Sequence, residues 1–455
     1  MSIKTINPAT GEIIQEYPFM TQSDLDALLY NAGKAQTEWR TTTISYRIDK
    51  MQAMAQCLKD QVDSLASIIT AEMGKPLAQA KGEVLKCATL CDYYVDHAEE
   101  FLKEQPIKTN MTKSKRCFEP LGVIFAIMPW NYPLWQVMRF AVPNLLAGNA
   151  GVLKHAPIST GTALAIDELF KEAGFPPHLF SSVVIDVDLA PFIINHPVIQ
   201  GVTLTGSNRA GQAVGAEAAK ACKKSVLELG GSDPYVILED ADLELAADEC
   251  IKSRLNNAGQ VCIAAKRIIV VEPIKAKFQS LLLERIKQFK CGDPTLEHTN
   301  LGPMAREDLR ESLTKQVNQS IEKGATCLIG GAPETGPGCF YPATFLVDIP
   351  KDAAAYSEEL FGPVVCLFSV ENEAEAIKMA NDTPFGLGGA VFTQDLVKGE
   401  AIATSQIHAG TCNVNTLVAS DPRLPFGGIK KSGYGRELAK EGMHEFMNIK
   451  TVSIR

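Results

Sequence analysis

Short apolar runs that alternate with longer amphipathic stretches set the tightest limit on what this 455-residue chain can fold into. From Gly122 onward, apolar runs at 123–128, 150–153, 182–185, 201–204 and 225–229 are separated by helical patterns such as 160–173 and 209–223. A strand apolar along its whole length, followed by a helix and repeated, folds as a parallel sheet covered on both faces. The alternation restarts after Gly230–Gly231, with strands expected at 235–238, 267–271, 364–368 and 389–392. Helices are expected there at 243–256, 274–289 and 306–323. Two such α/β units in succession leave a cleft between them, a common place for a ligand. The first hundred residues read as helices at 23–39, 43–72 and 76–102, with Ser23 as an N-cap. Residues 448–454 alternate polar and apolar and read as an edge strand, docked on another subunit or on the chain's own domain.

Composition removes several classes. With 44 basic against 53 acidic residues and a net charge of −9, a nucleic-acid backbone is not the expected partner. The most apolar stretch, 121–135, is broken by Pro129, Asn131 and Pro133, so no membrane span is expected. The start, Met1 to Glu12, lacks an apolar signal core. The twelve cysteines contain no CxxC pair and the seven histidines are dispersed, so no metal site is expected. A reducing, cytoplasmic setting with mostly buried thiols follows as the expectation.

Four segments carry chemistry-capable residues. In Asn257-Ala-Gly-Gln-Val-Cys262 a cysteine sits in a glycine-containing turn, where a thiol can be exposed beside backbone N–H donors. A buried structural thiol is the competing reading. Leu227-Glu228-Leu229-Gly230-Gly231 ends an apolar run with a carboxylate that becomes a general base if partly desolvated, and a mere ion-pair partner if not. In Pro129-Trp130-Asn131-Tyr132-Pro133, Asn131 offers an amide to a developing oxyanion, or caps a turn. Thr205-Gly206-Ser207-Asn208-Arg209-Ala210-Gly211 follows a strand and opens a helix, a geometry that suits a pyrophosphate.

Taken together and in this order, the four segments resemble the aldehyde dehydrogenase superfamily. The resemblance extends from Ile6-Asn-Pro-Ala-Thr-Gly-Glu12 through Glu359-Leu-Phe361-Gly-Pro363 and Pro384-Phe-Gly-Leu387 to Pro425-Phe-Gly-Gly-Ile-Lys-Lys-Ser-Gly-Tyr-Gly-Arg-Glu437. It implies that Cys262 attacks the aldehyde carbon, that Asn131 and the cysteine's own N–H hold the oxyanion, and that Glu228 activates water to release an acid. The acyl-CoA-forming branch typically lacks that glutamate. The resemblance further places Trp130, Lys154, Pro157, Gly206, Ser207, Gly211, Leu229, Glu359 and Phe361 at the cofactor. NAD-preferring relatives commonly carry Lys-x-x-Glu, whereas this chain reads Lys154-His-Ala-Pro157, so NADP is expected to be accepted and preferred over NAD.

For the substrate, Arg139 with Trp135 resembles the grip on a distal carboxylate in succinate semialdehyde dehydrogenases. Ser420 matches a second contact, and Arg423 is an alternative anchor. A further arginine of some relatives is Asn256 here, with Arg254 two residues earlier. Position 264 is alanine, so the local disulfide switch of some relatives is not expected.

The implied fold is α/β. It comprises a Rossmann-like cofactor domain (1–102 and 121–229), a catalytic domain (230–428) and a small β oligomerisation element (103–120 and 429–455) of a homodimer or homotetramer. The implied activity is NAD(P)-dependent oxidation of succinate semialdehyde. Rivals are a dehydrogenase of an uncharged or aromatic aldehyde, and a catalytically silent protein on the same fold.

Overall fold

The computed structural model describes residues 2–455. Two parallel sheets follow one another along the chain, as the alternation requires. The first has the order Gly433–Tyr434, Lys224–Glu228, Ile199–Thr205, Val123–Met128, Ala150–His155, Phe180–Ser182. All its neighbours are parallel except the edge strand Gly433–Tyr434, which returns antiparallel beside Glu228. The second sheet has the order Thr326–Ile329, Thr344–Val347, Val364–Val370, Arg267–Val271, Pro234–Ile237, Gly388–Phe392, Thr411–Val414, with only Thr326–Ile329 antiparallel. Successive residues of a strand face opposite sides. Tyr235 and Ile237 therefore join one buried cluster with Ile268 and Val270, while Val236 and Ile269 join another.

The N-terminal helices Gln22–Trp39, Ile44–Asp60, Val62–Met73 and Leu77–Leu102 pack into the core of the first sheet. Three local expectations change here, and one element is added. Thr21, not Ser23, caps the first helix, and its hydroxyl and Asp24 make a reciprocal capping box. The stretch expected as one helix over 43–72 breaks at Gln61 (φ −109°, ψ 20°), whose carbonyl accepts from Ser64 Oγ at 3.0 Å. An N-terminal hairpin, Ser2–Ile6 with Ile13–Pro18, precedes the helices. The run expected at 182–185 lies slightly later than the strand itself, Phe180–Ser182.

The last strand, Met447–Ile454, docks on its own chain. It pairs along its whole length with Lys113–Pro120, which in turn pairs with Gln105–Pro106. Between the two sheets and this small one, the segment 426–446 crosses back over the first unit, burying Leu438, Met443 and Phe446 in its core. Among the described residues no helix is long and apolar enough to cross a membrane.

Candidate active site

Parallel strands deliver their following loops to one edge, where ligands gather. At that edge of the first sheet lies a cavity of about 260 Å³. Its lining includes Trp130 and Asn131, Thr205 to Ser207, Glu228 to Gly230, Cys262, and Glu359 with Phe361. Thus the three residues expected to react, Cys262, Glu228 and Asn131, converge from segments far apart in sequence.

Cys262 reaches the cavity on a strained loop. Asn257 and Ala258 both have φ near 51°, and Gly259 has φ 71°. Left-handed backbone is costly for residues with a Cβ and persists only where the surroundings enforce it. Here the enforcement is visible. Asn257 Nδ2 donates to Asn131 O at 2.8 Å, and its N–H to Gln79 Oε1 at 2.9 Å. Arg254 lies beneath the loop, wholly buried, donating to the carbonyls of Val364, Leu360 and Gly259. It is therefore a scaffold and not a substrate contact. Asn256 likewise turns to the Tyr132 hydroxyl, 2.7 Å away.

At Gly259 a Cβ would stand 2.2 Å from Gly362 O and 2.8 Å from Arg254 Nη1. Gly259→Ala is therefore expected to lower thermal stability by about 1–3 kcal/mol and activity by at least roughly tenfold. Gly82→Ala, in a helix with no atom within 4 Å of the added carbon, serves as the control. It is expected to leave both unchanged or to stabilise slightly, by about 0.5–1 kcal/mol. Thermal melts and initial rates on the two variants check this.

Burial pushes the Cys262 thiol up to about 11, against the pull of Lys266 and Arg139. Lys266 is itself buried and fixes the loop, donating to Val261 O at 2.8 Å and Cys262 O at 2.6 Å. It also pairs with Glu359 at 3.0 Å, so one ammonium links the Cys262 loop to the far wall. Sequence reading passed over Lys266, because a lysine four residues after a cysteine carries no signal until the loop folds.

Glu228 is 2% exposed and neither carboxylate oxygen has a protein partner. Burial, reinforced by the neighbouring Glu437, raises its pKa well above the carboxylate range, with Arg139 and Arg436 opposing. Asn131 is held on all sides. Its Oδ1 accepts from Gln136, its carbonyl from Lys75 and Asn257, and its Nδ2 donates to Gln260 O at 3.0 Å. One Nδ2 hydrogen remains for a ligand.

On the cofactor side the lining suits a dinucleotide. Ser207 caps the helix Asn208–Lys220 by accepting from Ala210 N–H, and a Cβ at Gly206 would meet only the Leu204 side chain, in ordinary contact at 3.6 Å. Trp130 and Phe361 meet edge to face, their centroids 5.8 Å apart. Gly231 N–H donates to Glu359 at 3.1 Å, and a Cβ on Gly230 would collide with that carboxylate. Lys154 is buried, which lowers its pKa, with Asp186 as its charged neighbour. Pro157 begins the turn that follows, outside the cavity. Gly211 does not line the cavity: it makes room for Leu229, whose methyls would lie 2.5 and 2.7 Å from an added Cβ.

The substrate-side residues are rearranged relative to expectation. Arg139 is buried, forms an ion pair with Glu437, and lies over the Phe426 ring at 4.7 Å. Arg423 is largely exposed and bridges Asp421 at 2.6 Å. Ser420 accepts from Lys86 Nζ at 2.8 Å, and that same ammonium stands 4.1 Å above the Trp135 ring.

This fold and this convergence of cysteine, glutamate and asparagine define a class, and the chain belongs to the aldehyde dehydrogenase family, whose model matches residues 1–452. It is an enzyme of that family. Among its relatives, Succinate semialdehyde dehydrogenase [NAD(P)+] Sad of Escherichia coli K12 is 44% identical over 448 residues, covering 98% of this chain and 97% of that one. A probable succinate-semialdehyde dehydrogenase [NADP(+)] of Synechocystis is also 44% identical, covering both chains fully. The crystal structure of succinic semialdehyde dehydrogenase from Streptococcus pyogenes in complex with NADP+ superposes with a TM-score of 0.97 at 38% identity, covering 99% of each chain.

Proposed function

We propose that this chain oxidises succinate semialdehyde to succinate with NADP and water, and accepts NAD less well. The observation that carries the reading is the single cavity lined by Cys262, Glu228 and Asn131, with Ser207, Glu359 and Phe361 on its other wall. The relatives named above supply the substrate class.

In this mechanism the Cys262 thiol gives up its proton to water, and the thiolate sulfur bonds to the aldehyde carbon as the carbonyl π bond shifts to oxygen. The resulting oxyanion is held by the free Nδ2 hydrogen of Asn131 and by the Cys262 backbone N–H. Glu359 and Phe361 would hold a nicotinamide, which would supply the hydride acceptor, and loss of hydride from the tetrahedral carbon would leave the acyl group as a thioester on Cys262. Glu228 takes a proton from water, the water oxygen bonds to the acyl carbon, and the thiol departs as the carboxylate product forms. Closely packed glycines at 230 and 231 let this strand end approach the Cys262 loop: a Cβ at Gly231 would stand 2.7 Å from Cys262 O.

The basis for NADP is local. Lys154 keeps a buried cation, while Pro157 stands where relatives favouring NAD carry a carboxylate that would repel a 2′-phosphate. We assign residues 1–102 and 121–229 to cofactor binding and 230–428 to catalysis. The element 103–120 with 429–455 is assigned to assembly as a homodimer or homotetramer, through the open edge of Met447–Ile454.

The experiment is a two-by-two rate comparison at 340 nm, succinate semialdehyde against butanal and NADP against NAD. The expected result is a preference for the semialdehyde of at least roughly ten- to a hundredfold, together with a preference for NADP. Equal kcat/KM on the two aldehydes would remove the substrate assignment, and a preference for NAD well above tenfold would remove the cofactor assignment. Substituting Arg139 is a poor probe of the substrate, because it strands the buried Glu437 carboxylate and raises Glu228 further.

A further inference from the structure

Gln136 lies in the first turn of the helix Trp135–Leu146, is buried, and lines the same cavity as Cys262. The two ends of its amide are used differently. Nε2 donates to Asn131 Oδ1 at 3.2 Å, whereas Oε1 is buried without a hydrogen-bond partner among the described residues. We propose that Gln136 is a positioning residue for the reaction: its Nε2 fixes which end of the Asn131 amide faces the substrate. A donor, and not an acceptor, then meets the oxyanion. The proposal rests on reading the cavity as an aldehyde-oxidising centre.

The orientation follows from a series of bonds that starts at a backbone atom. The oxygen and nitrogen of a side-chain amide are nearly alike in shape, so the group can turn over unless its partners distinguish the two ends. The Gln260 carbonyl can only accept, and it fixes the Asn131 atom 3.0 Å away as Nδ2. Gln260 is itself tied down, its side chain donating to Asn257 O at 3.1 Å and accepting from Ala305 N–H at 3.0 Å. Oδ1 of Asn131 then needs a donor on its other side, which Gln136 Nε2 supplies.

The backbone of Asn131 is held by other groups. Lys75 Nζ and Asn257 Nδ2 donate to its carbonyl at 2.9 and 2.8 Å. Lys75 also pairs with Glu83, which accepts from the N–H groups of Leu134 and Trp135 at 2.9 Å each. Loss of the Gln136 amide therefore leaves the loop in place and frees only the Asn131 side chain. The unpaired Oε1 argues the same way. Burying an acceptor without a partner is costly, and an apolar side chain would fill this space without that cost. The bond from Nε2 is what the glutamine adds.

If the Asn131 amide turns over, Oδ1 takes the place of Nδ2 and a lone pair meets the developing charge on the substrate oxygen. A carboxylate at position 136 forces that turn. It accepts from Nδ2 in a charge-assisted bond, which outweighs the neutral bond to Gln260 O. A protonated carboxyl instead donates to Oδ1, as Nε2 does, and leaves the amide as it is. Gln136→Glu, nearly isosteric, thus makes the orientation depend on pH. Burial places the titration of the introduced carboxyl above the usual carboxylate range. The charged and titratable groups around it are the Lys75–Glu83 pair, Cys262 and Glu228 in the cavity, Tyr132, and Arg139 with Glu437 one turn along the helix.

The test is single-turnover formation of reduced cofactor at 340 nm, with enzyme and NADP in excess over succinate semialdehyde, from about pH 5.5 to 9. Each rate constant for Gln136→Glu is divided by that of wild type, which cancels the titration of Cys262 and its neighbours. The expected ratio is highest at the acid end and falls as pH rises, to roughly 10²–10³-fold below wild type, the size of a lost oxyanion donor. In an Asn131→Ala background there is no amide to turn, so adding Gln136→Glu is expected to change the rate little at any pH. A fall of the same size in that background overturns the proposal, because the carboxylate then acts on Cys262 or the substrate directly. A ratio that does not fall with pH, whether near one or uniformly low, overturns it as well. Should Gln136→Glu fail to fold, Gln136→Leu decides. It is expected to lower the rate constant about tenfold at every pH with KM for the semialdehyde unchanged, since Gln260 O still favours the native orientation. An unchanged rate constant, or a parallel rise in KM, overturns the positioning role. No reduced cofactor from wild type overturns the aldehyde-oxidising reading itself.

Discussion

Cys262→Ala is expected to lose turnover by at least about four orders of magnitude while still binding NADP, followed by quenching of tryptophan fluorescence. The size of the loss follows from the chemistry. An aldehyde C–H gives up hydride only once its carbon is tetrahedral and bears an oxyanion, and no other thiol lines the cavity to make it so. The remaining cysteines do not substitute: Cys250 and Cys366, for example, are buried in the core of the second sheet. Retained NADP binding separates loss of the nucleophile from loss of the fold. Residual turnover within a hundredfold of wild type would mean that another group attacks the aldehyde.

Glu228→Gln should separate the two halves of the reaction. The first turnover yields a burst of reduced cofactor equal to the enzyme present, after which the steady rate falls by about 10²–10⁴ because the thioester is no longer hydrolysed. The pH dependence has a definite sign. Burial and Glu437 favour the protonated form of Glu228, and only its carboxylate form can take a proton from water. Wild-type steady-state turnover therefore rises with pH through the Glu228 titration, and the variant lacks that rise. Stopped-flow recording at 340 nm reads both quantities. If burst and steady rate fall together, Glu228 acts before the thioester forms and the assignment is wrong.

Much of the architecture could be read from the sequence, because buried parallel strands announce themselves as unbroken apolar runs. Arg267–Val271 and Val123–Met128 have the very bounds expected of them. What escaped was of two kinds. Short elements whose identity depends on partners, such as the hairpin Ser2–Ile6 with Ile13–Pro18 and the strand Thr344–Val347, lack periodicity long enough to register. Contacts between distant segments escaped too. Nothing local to Arg139 signals Glu437, and nothing local to Lys86 signals Ser420 or Trp135. The expectation that Arg139 meets a substrate comes from the resemblance alone, which carries no sign of the buried carboxylate partner that the fold also gives it.

The antiparallel edge strand Gly433–Tyr434 also sets an order of events during synthesis. Chains generally fold from the N-terminus as they emerge. Here the strand that carries Glu228 keeps a bare edge until Gly433 pairs with it, some two hundred residues after Glu228 itself has been made. The nascent first unit must therefore wait, with one ladder unpaired, until Gly433 has been made, and only then does Glu228 reach its final surroundings.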